Sequence, residues 1–565
     1  MTQDMWEKTT FAASKGAPVN GIRMVKSMYY IGVAECTFNI HVGLFFDGTN
    51  TNYDRDKTDF GHTNVARLSD AYLDRPKDGL YRIYVPGVGT IFPEIGELEE
   101  SPKKGGGLGW GCEQRILFGL LAVLNSIHQR AFGINNLMFT EDQIRILCTR
   151  STVRDEQELA ILRPLGMAHG LMTNDTPQML LKHLVRQLAD KLNDPANKVK
   201  VGECMIDVFG FSRGAAQARV FCNWLQQILT DGKLAGVIVQ IRFVGLFDTV
   251  ASYGETTGLI VDNIFNVTDG HQGWAKPENL HMPAGAHHCV HLVAMHEFRK
   301  NFPLDTLAIQ RQLPQNCREF AYPGAHSDVG GGYRPGELGV AVGRTQIEGD
   351  ALKLSQIPLN HMFECAVAAN VPMKKEFAID QVTDYNPFTI NRRVEQAYSD
   401  FLTASGNAPR FLHEWAQPYL TWRWKVRNDY IQLHQVRNPV GDHKNLMRET
   451  NQLFIRDAAF INDAPEKSIA YFSVGQEDSE KYKKLMSGGV FDPEAPKILD
   501  LVQKNAPQLS HSLGWFFDQF VHDSYAGFSK SRREPTGYWR YRKGFEGNKV
   551  ALISHAPPDN IKAMG

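Results

Sequence analysis

The sequence predicts an α/β fold, a mainly parallel sheet with covering helices, followed by a mostly helical C-terminal region. Three observations predict it. From about residue 38 to 330, short β-branched or aromatic runs alternate with helical patterns. One strand-to-helix passage is drawn tight between glycines, as Gly210-Phe211-Ser212-Arg213-Gly214. After about residue 375 the texture turns to long charged and aromatic segments of helical character.

Taken in order, the expected strands are FNIHVGLFF (38–46), LYRIYV (80–85), QIRILCT (143–149), VKVGECMIDVFG (199–210), GVIVQIRFVGLF (236–247), CVHLVAM (289–295) and CREFAY (317–322). The expected helices cover about 112–132, 177–193 and 213–230. Each is long enough for the crossover that parallel strands require. A late strand is expected at WRYRKGF, 539–545. These elements place an N-terminal extension at residues 1–34, the sheet domain at 35–375 and the helical region at 376–565. Neither a repeat nor a Gly/Ser linker separates the last two, so the helical region is expected to pack on the sheet domain.

At 565 residues, 43% hydrophobic and 22% charged, the composition is that of a folded globular chain. The 61 Lys and Arg nearly equal the 62 Asp and Glu, which excludes the positive footprint of a nucleic-acid binder. Eight scattered cysteines without a CxxC pair exclude zinc ribbons and fit reduced, buried thiols. The N-terminal residues show no basic region followed by an apolar stretch, so no Sec signal is expected. The longest apolar run, ILFGLLAVLNSI at 116–127, is too short to span a bilayer.

The chemistry is read from Ser212. It follows an apolar strand and opens the helix beginning AAQARVFCNWLQQIL, the setting of a nucleophile elbow, which makes the expected fold α/β-hydrolase-like. Such a turn strains the serine backbone and exposes its hydroxyl at the carboxyl edge of the sheet, while the Arg213 N–H and the helix N-terminus face a developing oxyanion. A serine nucleophile needs an acid and a histidine base, in the chain order Ser, acid, His. Asp248, the first polar residue after the apolar FVGLF, is the expected acid. His326, in AYPGAHSDVGGGY, is the expected base, carried by a glycine-rich loop that can approach the elbow. The alternative base is His522, in FFDQFVHDSYAGF with Asp523 and Ser524 beside it.

The second oxyanion donor is expected from the loop after the first strand, from the N–H groups of Gly48 or Thr49, with Asp47 fixing the turn. The glycine run GGGLGWG (105–111) lacks the Lys-Ser/Thr of a phosphate loop and is read as a loop at the site mouth. His287, His288, His291 and His296 crowd one strand region, but strand alternation splits them between faces and no acidic ligand accompanies them at matching spacing. No metal and no cofactor is therefore expected. Two other functions share these residues: a soluble esterase acting on small esters, and a non-catalytic binding protein on a hydrolase scaffold. The presence of serine, acid and histidine together argues against the scaffold.

LFFDGTNTN, VPGVGT, GGGLGWG, GFSRGAAQAR, VGLFDTVAS, HEFRKNF and AYPGAHSDVGGGY follow one another in this chain, and FFDQFVHDSYAGF and GYWRYRKGFEG close it. In that order they resemble the phospholipase effectors of the bacterial type VI secretion system. The resemblance implies a triad on Ser212, Asp248 and His326 and hydrolysis of acyl esters in membrane phospholipids. It also implies delivery by the secretion needle into a rival's periplasm and a cognate immunity protein as partner. The match is thin from about 375 to 510, the part that such effectors would bring to the membrane. Within it, Phe411, Trp415, Tyr419, Trp422, Val426 and Tyr430 form a helical stripe, expected to pack on the sheet domain.

Overall fold

β-Branched and aromatic runs separated by long amphipathic stretches can bury both faces of a sheet only if helices cover each face. The computed structural model describes residues 36–101, 111–149, 154–167, 177–197, 199–251, 273–299, 302–406, 408–463, 494–526, 528, 538–544 and 553–554. Its strands are β1 (Cys36–Phe46), β2 (Leu80–Val85), β3 (Val199–Phe211), β4 (Lys233–Leu234), β5 (Val237–Phe247), β6 (Ala286–Ala294), β7 (Cys317–Tyr322) and β8 (Ile553–Ser554). They pair in the order β2-β1-β3-β5-β6-β7-β8, all parallel, with the short β4 antiparallel to β5.

Alternation along the strands sorts the core into two layers. Val42, Leu44, Ile206, Val208, Val244 and Leu246 face the helices Cys112–Phe132, Pro177–Leu192 and Arg213–Ile228. Phe45, Phe209, Phe243 and Phe247 face the helices Asn64–Ala71 and Gln356–Ala368 on the other side. Gly43 and Gly245 leave room there: a Cβ at Gly43 would lie 2.8 Å from the Tyr72 ring, and one at Gly245 2.7 Å from Met362 Sδ.

The crossovers explain where a site can form. From β1 the chain passes over the second face, through Asn64–Ala71, to β2; from β2 it returns over the first face, through Cys112–Phe132, to β3 on the other flank of β1. The loops leaving β1 and β3 thus diverge to opposite faces and open a crevice at their carboxyl ends.

Helices Arg392–Ser405, Leu412–Val426, Ala495–Asn505 and His511–Phe520 extend the second layer, so one apolar cluster runs from Phe298 through Tyr419 to Phe517. Trp415, Tyr419, Trp422 and Tyr430 are buried, whereas Phe411 at the start of the stripe is 37% exposed. Tyr419 stacks on Phe298 with ring centroids 5.6 Å apart, and the buried Arg423 lies 4.0 Å from the Tyr430 ring centroid and 3.4 Å from Asp523. Among the described residues no helix is long and apolar enough to cross a membrane.

Two expected strands are not strands. Residues Glu141–Cys148 form a helix, because Thr140 caps the Gln143 N–H and Gln143 caps Thr140 in return, a reciprocal start that outweighs the β-branched IRILC. Tyr538–Gly544 is irregular, touching Leu304 through one bridge at Gly544. The N-terminal extension and residues 105–110 of the glycine run lie outside the described residues.

Candidate active site

Ser212 follows β3 and caps the helix Arg213–Ile228 with φ 57° and ψ −124°, a strained conformation for a residue with a side chain. Its hydroxyl makes no capping bond. The strain is held on both sides: the Ser212 N–H donates to Phe247 O at 3.0 Å, and Ser212 O accepts from Val250 at 3.2 Å and Ala215 at 3.1 Å. Both motif glycines are required by close approach. A Cβ at Gly214 would lie 2.2 Å from Phe46 O, and one at Gly210 2.6 Å from the Ala215 Cα. The elbow is therefore wedged between the ends of β1 and β5.

Asp248 follows β5 with φ 41° and is fully buried. Its N–H donates to Leu292 O at 2.7 Å, and its Oδ1 accepts from the Ala294 N–H at 2.9 Å. Its Oδ2 accepts from His326 Nδ1 at 2.5 Å. Arg542 grips both oxygens, at 2.7 and 2.9 Å. Burial alone would push this carboxyl up, but the guanidinium and the imidazole overcome it and hold it well below the usual carboxylate range.

His326 opens the short helix His326–Gly330 after β7 and is 4% exposed. Its imidazole lies between the rings of Phe211 (4.6 Å) and Phe302 (4.9 Å), which restrict its rotation. Burial lowers its pKa, only partly opposed by the bond to Asp248. Its backbone N–H donates to Glu297 Oε2 at 3.3 Å. Glu297 is in turn held by a bidentate pair with Arg299 at 2.8 and 2.9 Å.

His522 stands elsewhere. Its Nδ1 donates to Asp328 Oδ1 at 2.5 Å, its N–H to Asp328 Oδ2 at 3.1 Å, and its ring stacks on Tyr333 at 3.8 Å. Asp328 Oδ2 also accepts from the Ala325 N–H at 2.9 Å, so this second pair braces the turn that carries His326.

In the loop after β1 one of the two candidate donors is engaged. The Gly48 N–H donates to Asp47 Oδ1 at 2.7 Å, so this amide is spent within its own turn. Asp47 is buried, which raises its pKa, and it also accepts from Thr63 Oγ1 (2.6 Å) and Tyr84 OH (2.5 Å). Thr49 Oγ1 accepts from Arg213 Nε at 2.6 Å, tying this loop to the residue after Ser212.

Two of the crowded histidines, His291 and His296, have structural partners. His291 Nδ1 donates to Glu319 Oε1 at 2.6 Å and Nε2 accepts from the Thr249 N–H at 2.9 Å, leaving no lone pair for a metal. His296 Nδ1 accepts from the Gly324 N–H at 2.9 Å. Among the described residues no three His, Cys, Asp or Glu side chains group as a metal site. Arg542, Glu297 and Asp328 carry no sequence signal that marks them singly. Each nevertheless lies in one of the motifs GYWRYRKGFEG, HEFRKNF and GAHSDVGGG.

A parallel sheet that presents a serine on a strained strand-to-helix elbow, at the switch point of its crossovers, has the α/β-hydrolase architecture. Residues 41–234 and 229–365 match the catalytic domain of the Tle1-like phospholipase effectors of the type VI secretion system (T6SS). The match covers more than half of the chain, and the chain belongs to this family. No curated protein matches it. Among solved structures it is similar to an uncharacterized protein from Pseudomonas aeruginosa, with TM-score 0.61 and 25% identity over 90% of this chain and 80% of that one. A second structure, the Tle1 effector bound to the VgrG spike of the type 6 secretion system, aligns at TM-score 0.32 and 17% identity over 69% of this chain and 84% of that one.

Proposed function

We propose that this phospholipase effector is a serine hydrolase of the phospholipase A type, with Ser212 as nucleophile, His326 as general base and Asp248 as the acid that orients it. The observation that carries the reading is the buried Asp248–His326 hydrogen bond beside the strained elbow of Ser212. In this mechanism His326 Nε2 takes the Ser212 proton as Oγ attacks an acyl ester carbonyl. The carbonyl π electrons move onto oxygen, where the N–H groups of Arg213 and Thr49 receive the charge. The imidazolium then protonates the departing alkoxide, and water, deprotonated by the same imidazole, releases the fatty acid. Family membership supports membrane phospholipid as the substrate, a needle component as carrier, and delivery to the target periplasm, where antibacterial action would require an immunity protein in the producer.

Vesicles test the substrate. Release of labelled fatty acid from phospholipid vesicles should exceed, per enzyme, the turnover of a short-chain ester at equal ester concentration. A preference for the soluble ester would replace the phospholipase reading with a small-ester hydrolase. Position-specific labels in the same vesicles report which acyl chain leaves.

The lowered pKa of His326 fixes a pH dependence. The base works only when neutral, so kcat/KM should be flat through pH 7 and fall as pH drops through an imidazole pKa below about 6.5. A limb centred above about pH 7.5 would contradict a desolvated His326 as the base.

A further inference from the structure

The Asp248 carboxylate is served by more than the imidazole. Oδ1 accepts from Arg542 Nη1 (2.7 Å) and Ala294 N–H (2.9 Å), and Oδ2 from Arg542 Nη2 (2.9 Å) and His326 Nδ1 (2.5 Å). The guanidinium thus meets the carboxylate in a two-pronged contact, with side-chain exposures of 1% and 0%. Only arginine can make such a planar fork; lysine offers a point charge.

Arg542 arrives on the irregular segment Tyr538–Gly544, which is fastened to the loop after β6. Arg542 Nε donates to Phe302 O at 2.6 Å, the Leu304 N–H donates to Lys543 O at 2.8 Å, and Arg540 donates to Phe298 O at 3.2 Å. The same loop supplies the Phe302 ring that lies against His326.

We propose that Arg542 is a positioning residue of the catalytic centre. Its fork fixes the plane of the Asp248 carboxylate in which His326 is received, so a residue far beyond the matched catalytic domain is required for hydrolysis. This rests on the triad reading above. Without the fork, the restraints left on the carboxylate among the described residues are the Ala294 amide and the imidazole, and its terminal torsion is intrinsically soft. Among the described residues the other charged groups facing the dyad are Glu297 and Arg299, which neutralise one another. Removing Arg542 therefore takes away the guanidinium that offsets Asp248, and the dyad takes up its proton at higher pH.

The test is kcat and KM against pH for the full-length wild type, R542K and R542Q on a soluble ester, with thermal unfolding measured in parallel. For R542Q we expect kcat about 100-fold lower, KM within about twofold and the acid limb about one pH unit higher. R542K, which keeps charge but not the fork, should lose about tenfold in kcat with the limb nearly in place. R540Q, on the same segment, should lower the melting temperature without moving the limb. A limb that stays put in R542Q, with a kcat loss that only follows the unfolded fraction, would overturn the proposal. If R542Q does not fold, R542K decides, and wild-type kcat in that variant would overturn it. A wild type without Ser212-dependent turnover would overturn the hydrolase reading, and this proposal with it.

Discussion

Ser212→Ala is expected to reduce ester hydrolysis about 10⁴-fold or more while leaving the protein folded. The strain at this position is set by the backbone bonds to Phe247, Val250 and Ala215, none of which involves the hydroxyl. Alanine occupies the same φ and ψ at no greater steric cost. The hydroxyl, which caps nothing, is lost alone. Fatty acid release from vesicles and the thermal melting curve, measured on the same preparation, check both halves. Wild-type release by a folded variant would remove Ser212 from the mechanism.

His326→Ala and His522→Ala should separate by orders of magnitude. The first removes the group that moves the serine proton, and because triad members act as a unit its cost should approach that of losing Ser212, about 10⁴-fold. The second removes the partner of buried Asp328 and should cost about 3 kcal/mol of stability, with less than about tenfold in kcat. Steady-state kinetics and denaturant unfolding of the two variants distinguish the roles. Equal loss of kcat in both, with both folded, would mean that the Asp328–His522 pair takes part in turnover.

What was legible in the sequence had a local signature. The helix Cys112–Phe132 and the strand Leu80–Val85 coincide with their expected bounds because glycines and turn residues punctuate them. The GFSRG turn could be placed because its strand, its glycines and its helix are all adjacent in the chain. IRILC alternates like a strand, which is why residues 143–149 read as one; the Thr140-x-x-Gln143 start is the stronger signal, and the segment is a helix. Position after β1 offers Gly48 or Thr49 as a donor, but which amide is engaged depends on the Asp47 carboxylate curling back onto Gly48. Arg542 had no such signature. It meets Asp248 across 294 positions, and His522 meets Asp328 across 194, distances at which only the folded topology makes neighbours.

The central claim, that Ser212 is the nucleophile, is tested most directly by a fluorophosphonate probe followed by peptide mapping. The account predicts one adduct per chain on the peptide carrying Ser212, formed faster as pH rises through the His326 titration, and absent from Ser212→Ala. A folded, unlabelled wild type, or an adduct on a different serine that persists in Ser212→Ala, would contradict it.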